Sequence, residues 1–401
     1  MLEYDVVIIG GGPAGIMAAI AAGRSSHVLL LEKNPSLGRK LLLTGGGRCN
    51  ITNLKNTREL LNHYNNKNFL KHSFYTFTNE DLLSMFKVKG LDYIVEDNDR
   101  VFPESQRSSD VLNILIEYLE DVDVWCNYEV KSISDDFIIN SEIKADKIII
   151  ATGGVTYPQT GTSPDNYSLT PQPVTSIKYG LAPLVTLDDV SSLSGVRVDN
   201  VGITYKNKIQ ENILFSHFGI SGPGIINISN EISESLDYDL INGEVQFSDT
   251  LRVDFLFDVS YEKLVNTFNS DIQKSGKVKI KNYLKKYFPK KFITFFLAKL
   301  SIDSETRLSQ ISKKDKKLLC ENLKNFPIEV SSFKGELSKV TIGGVDLNFV
   351  NPKTMESKII PGLYFAGEVL DVHGPTGGYN LKIAFSTGYL AGLSSSLSIK
   401  H

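Results

Sequence analysis

Apolar runs near the two ends of the chain predict a buried parallel sheet with helices packed against it. Short, uninterrupted runs of Val, Ile and Leu are typical of parallel strands that are covered on both faces. A run of Ala with Ile and Met fits a closely packed helix. By these patterns the strands lie at residues 6–9, 28–31, 146–150 and 362–366, and the helices lie at 16–22 and 381–397.

The middle of the chain shows two other patterns. From about residue 181 to 260, apolar and polar residues alternate in short segments between turns, which predicts an antiparallel sheet or barrel. The clearest alternating segments are 196–201, 203–205, 245–247 and 251–255. From about 261 to 325, apolar residues recur at helical spacing, at Leu284, Tyr287, Phe288, Phe292, Phe295, Phe296 and Leu300. We therefore expect the middle to be an insertion into a discontinuous α/β domain.

Composition excludes several classes of protein. With 401 residues, of which 41% are apolar, the chain can bury the cores of two or three domains. No apolar run approaches the roughly 18 residues that a bilayer crossing needs, and no basic signal-peptide region opens the chain, so we expect a cytoplasmic protein. Cys49, Cys126 and Cys320 form no C-x-x-C pair, which supports neither a disulfide framework nor a cysteine zinc site. No metal site is predicted.

Charge is distributed unevenly along the chain. The formal net charge is −3, yet residues 262–325 contain 16 Lys and Arg against 6 Asp and Glu. This basic stretch fits the solvated faces of a small helical domain. It also fits a patch that meets nucleic acid or an acidic substrate, so both interpretations stay open.

A glycine-rich turn follows the first predicted strand and opens the first helix. Gly10, Gly12 and Gly15 have the G-x-G-x-x-G spacing of a turn that holds a dinucleotide pyrophosphate at a helix N-terminus. The second strand ends in Glu32, whose carboxylate is placed to accept the hydroxyl hydrogens of an adenosine ribose. An ordinary glycine turn is the alternative, but the complete strand-turn-helix-strand context favours nucleotide binding.

A second glycine-rich stretch, residues 37–53, follows Glu32 closely. Consecutive glycines allow the backbone to lie against a flat or charged ligand, although a glycine-rich surface loop is the alternative. The candidate ligand-binding residues are the cations Arg39, Lys40 and Arg48, the neutral Thr44, Asn50 and Thr52, and the glycines Gly45 and Gly46. The cations suit a pyrophosphate or an anionic reduced flavin.

Two later segments add candidate cofactor contacts. Thr152, Gly153 and Gly154 end a predicted strand with small residues that permit close approach of a ligand. Gly367 and Glu368 follow the last strand, and the Glu368 carboxylate suits a ribityl hydroxyl. Residues 377–380 (Gly377, Gly378, Tyr379, Asn380) open the terminal helix, whose N–H groups and dipole stabilise negative charge at one end of an isoalloxazine ring.

Taken together, these segments resemble those of bacterial FAD-dependent flavoproteins described as aminoacetone oxidase-like or bile-acid 3-oxo-steroid reductase-like. The resemblance covers nearly the whole chain and rests on residues 10–15 (GGGPAG), 37–53 (LGRKLLLTGGGRCNITN), 151–154 (ATGG), 214–223 (LFSHFGISGP) and 341–381. It implies non-covalent FAD held by Ala14, Gly15, Glu32, Lys33, Arg39, Lys40, Gly46, Arg48, Asn50, Thr152, Gly153, Glu368, Gly378, Tyr379, Asn380 and Leu381, with Val130 as a backbone contact to adenine.

One loop departs from the family pattern. Residues 163–167 read SPDNY, where these proteins more often have T-G-D-G-Y. The resemblance therefore does not predict the shape of this loop.

The resemblance also agrees with the domain organisation that the patterns suggest. We predict an α/β protein with a discontinuous Rossmann-type FAD-binding domain at residues 1–178 and 341–401. A β-barrel insert is expected at 179–260 and 326–340, and a basic helical insert at 261–325.

His217 and His373 are the candidate catalytic residues. A histidine titrates near neutral pH, which suits the proton transfers of amine oxidation or enone reduction. His217 lies beside a Gly/Ser/Pro turn in the insert, and His373 lies four residues before Gly377. A purely structural role is the alternative for each. Cys49 has no partner cysteine nearby, so we expect a small packed residue rather than a dithiol relay.

Three functions fit these features. The first is an oxidoreductase in which NAD(P)H binds transiently and reduces the flavin, which then reduces a small organic substrate; the chain has no second G-x-G-x-x-G motif for a resident nicotinamide. The second is an O₂-dependent oxidase of a small amine such as an aminoketone. The third is a non-enzymatic flavin or redox protein that contacts nucleic acid, which the lack of interleaved aromatic residues disfavours. We therefore expect an FAD-dependent oxidoreductase, most simply an NAD(P)H-linked reductase, with a small-molecule substrate and neither a membrane nor a nucleic-acid partner.

Overall fold

The computed structural model describes residues 1–243 and 245–397 and divides into two compact units. The first unit comprises Met1–Tyr179, Tyr238–Gly243 and Lys339–His401, and the second comprises Gly180–Asp237 and Glu244–Ser338. Residues 238–243, which the sequence patterns place in the barrel insert, group with the first unit.

The strands and helices follow in chain order. The strands are β1 (Leu2–Ile9), β2 (Val28–Leu31), β3 (Thr52–Asn53), β4 (Tyr93–Glu96), β5 (Arg100–Pro103), β6 (Asp123–Trp125), β7 (Ile138–Ile139), β8 (Ile143–Ile150), β9 (Lys178–Gly180), β10 (Leu184–Thr186), β11 (Arg197–Thr204), β12 (Lys208–Phe215), β13 (Gly219–Ser221), β14 (Asp249–Asp254), β15 (Phe326–Phe333), β16 (Val340–Ile342) and β17 (Leu363–Phe365). The helices are α1 (Pro13–Ala22), α2 (Arg39–Leu43), α3 (Thr57–Leu61), α4 (Lys67–Thr76), α5 (Asn79–Val88), α6 (Ser108–Glu117), α7 (Pro223–Ser235), α8 (Tyr261–Ser275), α9 (Ile280–Tyr283), α10 (Lys290–Lys299), α11 (Lys313–Lys324) and α12 (Tyr379–Leu397).

A parallel sheet forms the centre of the first unit. Its order is β17-β8-β1-β2-β6, and β7 pairs antiparallel with β8. Val6, Val7 and Ile8 of the central strand β1 are fully buried, as expected for a strand covered on both faces. The predicted parallel sheet and its strands are therefore confirmed. A separate three-stranded sheet, β3-β5-β4, was not predicted.

Helices α1 and α12 pack together through their backbones. A methyl group on Gly388 would lie 2.3 Å from the carbonyl oxygen of Ala14, and one on Gly392 would lie 2.2 Å from that of Ala18. Only glycine permits this approach, which explains why both predicted helices are rich in small residues. The contact joins the first helix of the chain to the last.

The second unit contains a closed antiparallel barrel with the order β10-β13-β12-β11-β14-β15. This confirms the barrel that the alternating pattern predicts. The predicted segments 196–201 and 203–205 form the single strand β11, which carries a register shift between Val198 and Val201. The segment 251–255 corresponds to β14.

Two local predictions in this region are wrong. Residues 245–247 do not form a strand. Their contact with β15 is a single backbone hydrogen bond, which the N–H of Phe247 donates to the carbonyl oxygen of Ser331 at 2.9 Å before β14 begins. The alternating pattern also missed α7, which buries Ile225, Ile228 and Ile232 at helical spacing after Pro223 starts the helix.

The basic stretch forms helices α8 to α11 in the second unit, as its periodicity predicts. Five phenylalanines, Phe255, Phe288, Phe292, Phe296 and Phe326, contact one another with neighbouring ring centroids 4.8–6.2 Å apart. A nearly buried ion pair joins β14 to α11, because Lys324 Nζ lies 2.8 Å from Asp254 Oδ1. Within the described residues, every helix is too short or too polar to cross a membrane.

A buried lysine on α12 has an unusual environment. Lys382 is 1% exposed, and its Nζ donates a 2.6 Å hydrogen bond to the carbonyl oxygen of Phe77. Ser386 Oγ donates to the same oxygen at 3.0 Å. Burial lowers the pKa of Lys382 to about 7, with a small opposing effect of Asp81.

This depressed pKa predicts a pH-dependent stability. Between about pH 7 and the ordinary lysine pKa, the unfolded chain binds a proton that the folded chain does not, so the free energy of unfolding rises with pH. We expect Lys382→Met to remove that slope, which is about 1.4 kcal/mol per pH unit for one group. Urea unfolding at pH 7 and pH 9.5 measures it, with the exposed Lys71→Met as the control. Equal slopes in the wild type and Lys382→Met would contradict the prediction.

Candidate functional site

The carboxyl ends of four parallel strands lie at one edge of the sheet. In the pairing register, Ile9 of β1 stands beside Leu31 of β2 and Ile150 of β8, and Ile150 stands beside Phe365 of β17. The glycine turn, Glu32, residues 152–154 and residues 367–368 each follow one of these ends. The sheet therefore brings together segments that are more than 300 residues apart, at the edge where ligands bind in open α/β sheets.

The glycine turn forms an open helix start. Gly10 has φ 108°, and a methyl group on Gly15 would lie 1.8 Å from the carbonyl oxygen of Gly10. A methyl group on Gly12, by contrast, would meet nothing within 4 Å. Pro13 begins α1, and no described side chain caps the helix, so the N–H groups of Ala14 and Gly15 face that space.

Glu32 is held rigidly beside this turn. Its carboxylate is 8% exposed and accepts hydrogen bonds from the backbone N–H of Gly11 (2.8 Å) and the backbone N–H and side chain of Asn34 (2.8 and 2.6 Å). Arg39 Nη1 donates to Asn34 Oδ1 at 2.8 Å, so this predicted cation supports Glu32 through Asn34. Sequence reasoning missed Asn34, although its position two residues after the strand-ending acid is a usable signal.

Lys33 and Val130 lie on the same side of the sheet edge as Glu32. Lys33 Nζ donates to Asn166 Oδ1 at 3.3 Å. The chain before Val130 pairs with the chain after β2, because the N–H of Tyr128 donates to the carbonyl oxygen of Glu32 at 3.0 Å. Val130 is partly buried against the core, two residues beyond this pairing.

Lys40 and Glu368 form an ion pair after β17, a strand that the sheet order puts on the other side of β1 from β2. Lys40 Nζ lies 2.6 Å from Glu368 Oε2 and 2.8 Å from Thr156 Oγ1. The other carboxylate oxygen of Glu368 accepts a 2.8 Å hydrogen bond from the N–H of Thr341. Both charged side chains are about one-fifth exposed, so the pair borders the site and is not sealed inside the core. Sequence reasoning predicted Lys40 and Glu368 but missed Thr156 and Thr341.

The second glycine stretch is a loop of left-handed backbone. Gly45, Gly46 and Gly47 have φ values of 59°, 70° and 88°, and the hydroxyl of Thr44 donates to the carbonyl oxygen of Leu41 at 2.6 Å. A side chain on Gly46 would meet nothing within 4 Å, so this part of the loop is open to a ligand. Next to it, burial raises the pKa of the Cys49 thiol to about 12, so the thiol is protonated at neutral pH and packs as a small apolar group.

The charge of Arg48 is balanced by a neighbouring sheet. Arg48 Nη1 donates to Glu96 Oε1 (2.7 Å) and Gln106 Oε1 (2.8 Å), and the guanidinium lies 4.1 Å from the centre of the Phe102 ring. Glu96 neutralises the charge of Arg48. The guanidinium therefore holds the glycine loop in place and is not a free positive charge for a ligand. None of these partners was predicted.

The start of α12 rests on strand β3. With the Asn50 amide oriented by its hydrogen bonds, Asn50 Oδ1 accepts from the N–H of Gly378 at 3.0 Å. Gly377 and Gly378 have φ 115° and 92°, and a methyl group on Gly378 would lie 2.4 Å from the backbone of Thr52. The Thr52 hydroxyl is buried and donates to Asn79 Oδ1 at 2.9 Å, so its side chain supports the fold.

The remaining predicted residues of this region also have mainly structural contacts. Tyr379 is buried, and its carbonyl oxygen accepts from Tyr64 at 3.0 Å. Asn380 donates its amide to the carbonyl oxygens of Gly374 (2.9 Å) and Pro375 (3.1 Å), which fixes the loop before the helix. Leu381 packs against the core. These residues position the helix start, where the backbone N–H groups are the candidate ligands.

The ends of β8 and β17 approach α1 and β16 closely. Gly153 has φ 76°, a methyl group on Gly154 would lie 2.0 Å from Thr341 Oγ1, and one on Gly367 would lie 2.6 Å from Ala14 Cβ. Small residues are therefore required here, as predicted. Thr152 Oγ1 is buried and has no hydrogen-bond partner among the residues that the structure describes.

The two candidate histidines lie in different units. His217 is exposed in the turn between β12 and β13 of the second unit, with its ring centroid 5.1 Å from that of Phe218. His373 is 5% exposed in the first unit, and its backbone N–H donates to Asn65 Oδ1 at 2.9 Å. The backbone contacts of His373 order the loop before α12. Burial raises the pKa of nearby Asp371, and the charge of His373 opposes that shift.

These features fit FAD. The uncapped start of α1, the open space at Gly12 and the held carboxylate of Glu32 match the pyrophosphate and the adenosine ribose of a dinucleotide. The unpaired hydroxyl of Thr152 is a buried polar atom that a ligand can satisfy. The start of α12 adds a second set of N–H groups.

Comparison with known proteins identifies a family and several similar proteins. A family model described as HI0933-like protein Rossmann domain matches residues 4–394. The chain is 31% identical over 409 residues to a ribosomal RNA dihydrouridine synthase of Escherichia coli K12, covering 97% of each chain. It is 30% identical over 410 residues to a 3-dehydro-bile acid Δ(4,6)-reductase of Clostridium scindens, covering 96% of this chain and 97% of the relative. A solved 3-ketosteroid-Δ4-(5α)-dehydrogenase of Rhodococcus jostii RHA1 is 13% identical, with a TM-score of 0.45 over 98% of this chain and 97% of the other.

A matched pair of glycine variants tests the placement of the pyrophosphate. We expect Gly12→Ala to keep its melting temperature within about 3 °C, because its methyl group meets open space, but to raise the Kd for FAD about tenfold or more. Gly15→Ala, whose methyl group would collide with Gly10, should instead lower the melting temperature. Fluorescence titration with FAD and thermal unfolding measure both. An unchanged Kd for FAD in Gly12→Ala would show that the pyrophosphate does not bind at this turn.

Proposed function

The chain belongs to the HI0933-like Rossmann-domain family of flavin oxidoreductases, and on that premise we propose that it reduces a carbon–carbon double bond conjugated to a carbonyl group, with NAD(P)H as the hydride donor. The names of two relatives that match over nearly their full length support this reaction. Formation of dihydrouridine adds two hydrogens across the C5=C6 bond of uracil, and a Δ(4,6)-reductase of a 3-dehydro-bile acid acts on double bonds conjugated to a ketone.

The overall reaction balances with one proton. A hydride from NAD(P)H adds to one alkene carbon and a proton adds to the other, which leaves NAD(P)⁺ and the saturated carbonyl compound. FAD, when bound, supplies the two-electron carrier between donor and substrate. No second dinucleotide-binding motif is needed, since the nicotinamide has only to visit the flavin.

The residues of the first unit bind and orient for this reaction. The start of α1 and Glu32 would hold the dinucleotide, and the start of α12 would stabilise negative charge on the flavin. The Lys40–Glu368 pair would offer a carboxylate and an ammonium group to the ribityl chain of bound FAD.

For the substrate we propose a uridine of ribosomal RNA. The charge of the helical part of the second unit supports this choice over the small molecule expected from the sequence. Within the described residues, several exposed lysines of this region have no acidic partner within 4.0 Å: Lys263, Lys274, Lys277, Lys285, Lys290, Lys291, Lys313 and Lys314. Unpaired surface lysines suit the phosphate backbone of RNA, whereas a bile acid carries one negative charge.

Anaerobic mixing with NADPH or NADH tests the reaction. We expect the visible absorption of oxidised flavin to disappear within seconds. It should return when ribosomal RNA from a strain that lacks this gene is added. The RNA should then contain dihydrouridine, detected by mass spectrometry of nuclease fragments. Return of the absorption with a 3-oxo-4-ene steroid, but not with RNA, would favour the bile-acid reaction. In a separate experiment with air present, peroxide formation from an aminoketone, together with no bleaching by NAD(P)H in the anaerobic test, would support an oxidase.

Lysine variants test the RNA substrate separately. We expect Lys313→Gln/Lys314→Gln and Lys290→Gln/Lys291→Gln to raise the KM for RNA without changing the rate of flavin reduction by NAD(P)H. Each lost phosphate contact should lower the slope of log KM against log salt by about 0.7 to 0.9. Lys71→Gln/Lys353→Gln, which removes two exposed lysines of the first unit, is the control of equal charge. Equal effects in all three double variants would indicate a nonspecific loss of charge.

A further inference from the structure

Three hydroxyl groups of the first unit are buried without a hydrogen-bond partner among the described residues: Ser26 Oγ, which follows α1, and two that follow β8, Thr152 Oγ1 and Tyr167 OH. Tyr167 is only 5% exposed. Burying a hydroxyl without a partner is unfavourable, and nearly all buried polar groups in folded proteins are hydrogen-bonded. Thr152 already belongs to the candidate FAD site. Tyr167 has no role assigned so far.

Tyr167 belongs to the loop that departs from the family pattern, residues 163–167. This loop forms a 3-10 turn at Pro164–Leu169, and it is tied to the end of β8 by Asn166, whose amide donates to the carbonyl oxygen of Thr152 at 3.5 Å. Asn166 also accepts from Lys33. The unpaired hydroxyls of Thr152 and Tyr167 therefore come from neighbouring segments at one strand end.

The hydrogen bond from Asn166 to Thr152 ties the Tyr167 segment to the end of β8, which lies between β1 and β17 in the sheet, the side on which Glu368 follows β17. Burial raises the pKa of the Tyr167 hydroxyl, and the carboxylates of Glu368 and Asp371 raise it further. The hydroxyl is therefore protonated at every physiological pH and is a permanent hydrogen-bond donor. In the strand order β17-β8-β1-β2, the strand that precedes Glu368 and the strand that precedes Glu32, the carboxylate that suits adenosine, lie on opposite sides of β1 and its glycine turn.

We propose that the Tyr167 hydroxyl is a direct ligand of the flavin half of bound FAD, unpaired in the free protein because its partner is the cofactor. The inference rests on FAD binding alone and is independent of the reaction and of the RNA substrate proposed above. The ribityl hydroxyls and the carbonyl groups of a flavin offer the acceptors that a buried phenol needs.

The variant Tyr167→Phe gives two effects of opposite sign. It keeps the ring and removes an unsatisfied buried hydroxyl, so the FAD-free protein should melt about 2 °C higher or at the same temperature. Its Kd for FAD should rise about three- to tenfold, as expected for one lost neutral hydrogen bond. The Kd for ADP, which contains only the adenosine half, should stay within twofold of the wild-type value. Thermal unfolding of the full-length protein stripped of FAD, and fluorescence titrations, measure these quantities.

A second tyrosine provides the matched control. Tyr118 OH is partly buried and donates a 2.9 Å hydrogen bond to the carbonyl oxygen of Met85. Tyr118→Phe should therefore lower the melting temperature and leave the Kd for FAD unchanged. The proposal is overturned if Tyr167→Phe binds FAD within twofold of the wild type, which would assign the hydroxyl to a structural water. It is also overturned if FAD and ADP weaken equally, which would place the effect on the adenosine half or on the fold.

Discussion

The backbone contact between α1 and α12 is the constraint on which the cofactor site depends. The glycines of α12 allow it to lie against the carbonyl oxygens of Ala14 and Ala18, closer than any other residue would permit. Each helix begins at the site, α1 at Pro13 and α12 at Tyr379. Their contact therefore fixes the distance between two sets of N–H groups that come from opposite ends of the chain. A larger residue at Gly388 or Gly392 would separate both sets and disturb the sheet edge below them.

Charged groups at the site are largely balanced by protein partners. Lys40 is paired with Glu368, Arg48 with Glu96, and Glu32 accepts from Gly11 and Asn34. Since these groups are already held in place, binding of a cofactor does not have to order them. Attraction for a pyrophosphate then comes chiefly from backbone N–H groups at the helix starts, which are rigid and lose little entropy on binding. The cations shape the glycine loops and hold the carboxylates.

The predictability of each part follows from the range of its interactions. The unit β1-α1-β2 and the helix α12 were predicted because their signals are local: apolar runs, glycine spacing and small residues. The helix α7 was missed because isoleucines that recur every three or four residues lie within a region of alternating strands. The contacts of Val155 and Glu368 with Thr341 join distant segments. No pattern in a single sequence specifies such pairs, so the candidate residues were found but most of their partners were not.

The similarity to two relatives with different substrates separates the cofactor site from substrate recognition. A ribosomal RNA dihydrouridine synthase and a 3-dehydro-bile acid Δ(4,6)-reductase are 31% and 30% identical to this chain over 409 and 410 residues. Membership of the family therefore does not choose between a polyanion and a steroid as substrate. The choice between these substrates has to come from residues outside the dinucleotide site. In this chain the strongest such feature is the excess of lysine in α8 to α11, which the folding of these helices does not require, since their cores are built from phenylalanine and leucine. Lysines that are not needed for packing are available for a polyanionic substrate. For this reason the proposal of an RNA substrate rests on the charge of these helices and not on the fold.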